Sequence, residues 1–461
     1  MKKISDGLAL KIIKKAISKG SDYADVFVEH RQHQAIELED DKIEKVVSGV
    51  DYGIGIRAVK GNKSAYAYGN DFSEKSLLAL AGTVSKATKE EKDVTINLKK
   101  IYPEVDLEIK LKPRDVSMDK KISIVSNANR IAKRVSPKIK QVKVIYRDSV
   151  QNVFIAASDG TISEDERIYI LALIQVVAAE GDILQTGYEP VGGFIGFELF
   201  DKDFFDEISL KAARRAVAML DARKISGGRM PVVISAEAGG TMIHEAVGHG
   251  LEADLVQQGL SVYSNKIGQQ IASPLISVVD DSTLPGRRGS FRFDDEGIPS
   301  QRTVLVERGV LKGFMYDRLT AAKNKVVSSG NGRRESYESR PIPRMTNTFI
   351  ERGNSDPLEI VRSVNKGLFV KKMGGGQVNT VTGEFVFEVS EGYLIERGEI
   401  GEAVRGATLI GNGPEVLRSI DMVGNDMGFS IGTCGKDAQG VPVSDAMPTV
   451  RIPEIVVGGK V

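Results

Sequence analysis

The spacing of apolar and polar residues changes several times along the chain, and each change marks an element. Over residues 6–19 the apolar positions are broken up by Lys11, Lys14 and Lys15, the pattern of an amphipathic helix. The stretch DVFVEHRQHQAIELEDDKIEKVVSG follows, and then DYGIGIRAVKGNKSAYAYGN, whose Gly and Asn-Asp punctuation predicts hairpins. A helix is predicted near 73–88. The order then recurs: a helical stretch near 117–135, a strand-rich segment from VKVIYRDSV to VVAAEGD, and a closing helix in FDEISLKAARRAVAML. Two similar units of β-meander plus helix are expected, an α+β layer with an antiparallel sheet instead of a parallel βαβ sheet.

Periodicity stops in DARKISGGRMP, residues 221–231, where Gly227, Gly228 and Pro231 place a domain boundary. Beyond it the Gly content rises and short strands dominate. TVLVERGVLKGFMYD and FVFEVSEGYLIERGEIGEAV both read as hairpins with Gly at the turn. A chain of 461 residues also exceeds the size at which one core usually keeps growing. The expectation is an N-terminal α+β domain over 1–224 and a C-terminal, mainly β domain over 225–461. The latter is a barrel or sandwich carrying one helix around 237–255, with Gly-rich loops around it.

Composition narrows the partners. Lys plus Arg number 63 against 62 Asp plus Glu, so bulk charge gives no reason to expect nucleic acid. The one cysteine, Cys434, excludes an internal disulfide framework and fits a reducing compartment. The lysine-broken N-terminus lacks the continuous apolar region of a signal peptide. The longest apolar run, IYILALIQVVAA at 168–179, is shorter than the roughly 20 residues that cross a bilayer. No membrane partner is expected, and the cytoplasm is the expected location.

The candidate chemistry is concentrated in TMIHEAVGHGLEADL at 241–255. A histidine followed at once by glutamate, with a second histidine beyond, is the arrangement of zinc-protease helices, but there the histidines are four apart, and His244 and His249 are five apart. In a regular helix that spacing separates the two rings by about 140° around the axis, too far for one ion. A π-type turn, with its i to i+5 hydrogen bond, returns them to one face, and Gly248 and Gly250 leave the backbone room to deform. The chain has only four histidines, and the other two, His30 and His33, lie in a charged, strand-like segment and read as surface residues. A catalytic zinc site needs a third protein ligand and an open position. Glu252, Asp254 and Cys434 are the candidates, with Lys436 placed to favour a thiolate at Cys434. Composition alone puts Cys434 slightly ahead of Glu252.

Five blocks carry a family resemblance: HEAVGHGLEAD at 244–254, GSFRFDDEG at 289–297, SYESRPIPRMTNT at 336–348, GGGQVNTVTGEFVFEVSEGYLIE at 374–396 and GTCGKDAQGVPV at 432–443. In this order they resemble the TldD/PmbA family of metalloproteases, and His244, Glu245 and His249 make the chain similar to its metal-binding TldD type. The resemblance implies zinc held by His244, His249 and Cys434, with Glu245 as the catalytic carboxylate that takes a proton from water and passes it to the leaving amine. It also implies cleavage of unfolded or extended peptides in an enclosed chamber, in a hetero-oligomer with a paralogue lacking the metal motif, or in a homodimer.

Tyr337, Arg340 and Arg344 are chemically suited to stabilise a developing oxyanion. A Pro-bounded loop packed by its own side chains explains them as well. Gly374, Gly375 and Gly376 would let a strand or loop approach a substrate backbone. Asp294, Asp295 and Glu296 could hold a turn or a second cation, and they read first as a solvated turn. The rival class is a peptide-binding or assembly subunit whose metal is structural or absent.

Overall fold

The computed structural model describes residues 4–86 and 96–459. Residues 87 and 88, the end of the second predicted helix, lie outside that range. The first half repeats one pattern twice. Helix α1 (Asp6–Ile17) leads into strands β1 (Tyr23–Glu39), β2 (Lys42–Lys60) and β3 (Lys63–Gly69) and then helix α2 (Glu74–Ser85). Helix α3 (Met118–Lys133) leads into β4 (Ile139–Ala157), β5 (Thr161–Glu180) and β6 (Ile183–Gly193) and then helix α4 (Phe204–Ala218). The two meanders are joined into one sheet by antiparallel pairing of β1 with β4, giving the order β3-β2-β1-β4-β5-β6, with the short strand Lys99–Lys100 alongside β5. The apolar run at 168–179 is part of β5. Among the described residues, no helix is long and apolar enough to cross a membrane.

Alternation along β1 explains the layering, because successive side chains point to opposite faces. Val26 and Val28 pack in the core under α1 and α2, and Ile36 and Leu38 in the core under α3 and α4. Asp25, Phe27 and Glu29 point the other way, toward the second half. There Asp25 and Glu296 share the buried Arg57, Arg167 bonds Asp295 at 2.6 Å, and Arg334 lies 4.3 Å over the ring of Phe27. The expectation of a solvated acidic turn is therefore corrected: Asp294, Asp295 and Glu296 are buried between the halves. Their partners Arg57 and Arg167 are remote in sequence, so no local pattern exposes the pairing.

The second half is mainly β. Strands β7 (Gly228–Ile234), β8 (Val278–Asp281), β9 (Arg302–Glu307), β10 (Asn347–Ile350), β11 (Lys366–Val378), β12 (Glu384–Glu396), β13 (Glu399–Arg405), β14 (Thr408–Asn412), β15 (Gly428–Lys436), β16 (Gln439–Met447) and β17 (Val450–Gly458) form two systems. Strands β11, β7, β17, β14 and β12 pair in that order, and β12 returns to β11, closing a five-stranded barrel. The second system runs β9-β8-β10-β16-β15, with Val310–Leu311 outside β9, so β15 is an edge strand. The two predicted hairpins are present, turning at Arg308–Gly309 and Arg397–Gly398 with positive φ at all four residues.

Candidate metal centre

The segment predicted as one helix over 237–255 is broken into short turns, and the break creates the site. Thr241–Ile243 is α-helical, His244–Gly248 is a π turn, His249–Leu251 tightens to 3-10, and helix resumes at Ala253–Gln257. The N–H of His249 donates to the carbonyl of His244, an i to i+5 bond. One added residue in the turn brings the two imidazoles together, with centroids 5.1 Å apart and planes at 90°. The glycines serve a purpose different from backbone deformation. Gly248 has ordinary helical angles, φ −54 and ψ −56, and a Cβ there would lie 2.0 Å from Met345 Sδ. At Gly250 it would lie 2.8 Å from the ring of Tyr263.

Cys434 reaches the pair from β15. Its Sγ is 3.4 Å from His249 Nε2, and one donor atom from each of His244, His249 and Cys434 falls within 4.8 Å of the others. Burial pushes the thiol up, but hydrogen bonds and charge from both imidazoles reverse this and bring it down to about 5. Two nitrogens and a readily ionised sulfur, buried and convergent, form a donor set that fits a metal ion. The Nδ1 of His244 is buried with no hydrogen-bond partner among the described residues, 3.8 Å from Asp445 Oδ2.

Glu252 is not a third donor. It lies behind His249, its Oε2 3.0 Å from Nδ1, the nitrogen turned away from the thiol. Burial pushes its carboxyl up, yet His249 and Lys436 hold it down at about 2. Lys436, expected to act on the thiol, instead bonds Asp254 at 2.7 Å and Glu252 at 3.1 Å. Sequence reasoning missed the role of Glu252 as orienter of His249, a role for which its position three residues beyond that histidine was the available signal.

Comparison with known proteins gives this geometry a family. Residues 24–88 match the PmbA/TldA metallopeptidase domain 1, residues 111–220 the central domain, and residues 227–459 the C-terminal domain. A metalloprotease TldD homolog of Haemophilus influenzae is 38% identical over 95% of this chain and 93% of its own length. The chain belongs to the PmbA/TldD metallopeptidase family. A metalloprotease of Methanocaldococcus jannaschii is 36% identical, covering 96% of this chain and 98% of its own. The crystal structure of TldE from Thermococcus kodakarensis shares the fold, with a TM-score of 0.78 at 17% identity over 98% of this chain and 100% of that one.

Within this PmbA/TldD chain the remaining candidate residues scatter. Glu245 is half-buried in the π turn and makes no hydrogen bond or ion pair among the described residues. Arg344 is fully buried: it donates to the carbonyls of Gln439 and Cys434, with Nε 4.0 Å from Glu252, so it braces the strand that presents the thiol. Tyr337 packs on Phe27, Val153 and Ile155 of the first sheet, and its N–H donates to Glu29. Arg340 is exposed and meets Gln439 through its carbonyl. Gly374, Gly375 and Gly376 lie in β11 where its register with β12 slips. Gly374 and Gly375 line a cleft of about 380 Å³ together with Thr241, at the start of the metal-centre segment, and Ser430 of β15.

Proposed function

We propose that this PmbA/TldD-family chain is a zinc-dependent peptidase of the cytoplasm that hydrolyses unfolded or extended peptides. The observation that carries the reading is the convergence of His244, His249 and Cys434 at one irregular turn that also bears Glu245, whose carboxylate has no partner among the described residues. His244, His249 and Cys434 would hold zinc, two imidazoles and a thiolate being a donor set that suits it. When bound, zinc supplies Lewis acidity toward a carbonyl oxygen and makes water a better nucleophile. Glu245, one residue beyond a ligand, takes the proton from the attacking water and returns it to the leaving amine. Glu252 fixes His249 by accepting from Nδ1, which commits Nε2 to the site. Gly374, Gly375 and their cleft are the proposed path for an extended backbone.

Partnership with a metal-free paralogue, in an assembly that admits only extended chains, is part of the same reading and rests on the family resemblance. A homodimer is its alternative outcome.

The test pairs metal analysis with a peptide-cleavage assay. Glu245→Gln should keep about one zinc per chain and lose roughly 10²-fold or more in cleavage rate. Cys434→Ala should lose metal on dialysis against a mild chelator. Full zinc occupancy in the Cys434 variant would reject the ligand assignment. Normal turnover in the Gln variant would remove Glu245 from its role, and no cleavage with any partner would favour the peptide-binding alternative.

A further inference from the structure

A cavity of about 470 Å³ lies between the first sheet and the second half, and its lining is strongly cationic. Arg31, Arg147 and Arg167 enter from β1, β4 and β5, and Arg288, Arg333 and Arg334 from the second half opposite, Arg333 on the short strand Gly332–Arg333. With Lys45 these make seven cations against four carboxylates. The carboxylates are already engaged. Glu37 lies 3.5 Å from Arg147, Asp148 pairs with Lys121 at 2.6 Å, Asp295 with Arg167 at 2.6 Å, and Glu335 accepts the Gly440 N–H at 2.9 Å. Arg31 and Arg288 form no ion pair among the described residues.

Arg288 is held in place without being satisfied. Its backbone N–H donates to Ser444 Oγ at 2.9 Å and its Nε to the Gly432 carbonyl at 3.2 Å, so the two terminal nitrogens are left without a partner among the described residues. Burial, with repulsion from Arg31, Arg333 and Arg147, lowers it to about 10, so it remains charged at neutral pH. Crowding unpaired guanidinium groups in a cleft is costly unless an anion completes the set.

The position ties this cavity to the metal centre. Thr433 lines it, and the next residue, Cys434, turns to the two histidines. The cavity and the centre thus lie on opposite sides of β15, which is an edge strand. We propose that the cavity is a carboxylate-binding subsite, with Arg288 and Arg31 receiving an acidic side chain or the terminal carboxylate of a peptide that passes over the β15 edge to the metal centre. The proposal rests on the peptidase reading for the identity of the ligand as a peptide.

The test uses the full-length, zinc-loaded Glu245→Gln chain and three peptides of equal length carrying an uncharged dye, followed by fluorescence anisotropy at fixed ionic strength. One is neutral with an amidated C-terminus, one is neutral with a free C-terminus, and one is amidated with a single internal glutamate. One of the carboxylate-bearing peptides should bind at least about tenfold more tightly than the neutral one, and which of them does so names the source of the carboxylate. Arg288→Met should reduce that ratio by about tenfold or more, as loss of a charged hydrogen bond implies, and Arg288→Lys should retain part of it. Arg31→Gln, which breaks no ion pair among the described residues, should reduce the ratio too and guards against misfolding at Arg288. Equal binding of all three peptides, or a preference untouched by both Arg288→Met and Arg31→Gln, overturns the proposal. Cleavage of the neutral peptide by the unsubstituted chain tests the peptidase reading separately. Cleavage without carboxylate preference defeats only the subsite, and preference without cleavage leaves the subsite standing.

Discussion

Glu252 shows how a buried carboxylate can govern a neighbour that is proposed to hold metal. It accepts from His249 and is held by Lys436, so the imidazole is fixed in tautomer and orientation. Glu252→Gln keeps the volume but removes the charge, and zinc affinity should fall about 10- to 100-fold, the usual effect of losing such a support, as read by competition against a chromogenic chelator. An unchanged affinity would show that the π turn alone orients the ring. The approach of His244 to His249 is legible in the sequence because the two lie only five residues apart. The partners of Arg344 are hidden in the sequence, because the carbonyls of Cys434 and Gln439 lie 90 and 95 residues away. Those of Tyr337 are hidden for a similar reason: it docks on strands of the other half.

Local periodicity revealed the four long helices and the strand-rich segments of the first half, along with the departure from helical regularity that the five-residue histidine spacing demands. It did not reveal that β1 and β4 merge two meanders into one sheet. Pairing between segments over a hundred residues apart has no signature in either segment alone. The short helix Arg318–Asn324 carries its own test of local conformation. It begins with a capping box at Asp317 and Thr320 but ends on Lys325 in the left-handed region, φ 56 and ψ 40. A non-glycine residue there costs about 1 kcal/mol, and glycine is the common solution. Lys325→Gly should therefore raise the thermal midpoint slightly, by a degree or two for a chain of this size. A fall in calorimetric Tm would mean that the exposed lysine contributes something the backbone argument omits.

The seam between the halves is built from buried charge, and its pH response follows. Burial, reinforced by the Glu296 carboxylate, raises Asp294 to about 8, and the same causes raise Asp317 to about 6. A carboxyl raised in the fold keeps its proton after the unfolded chain has lost its own near pH 4. The folded state then binds more protons, and stability falls as pH rises from about 4 through about 8 before levelling. Asp294→Asn cannot ionise and should flatten that decline in urea midpoints measured between pH 5 and 9, although its amide would serve the Gly332 N–H less well. An equally steep profile in the variant would assign the slope to other groups.

The sequence holds a single sulfhydryl, and it sits buried against two imidazoles. Its chemical visibility can therefore serve as a gauge of loading. With zinc in the proposed site, a thiol-reactive dye should label essentially none of the native protein. After chelation the titre should climb toward one equivalent per chain, because the sequence has no second thiol to compete for the reagent. Any batch would then report its own empty fraction in one absorbance reading, and protein that stays fully reactive at saturating zinc would show that the thiol is not a ligand.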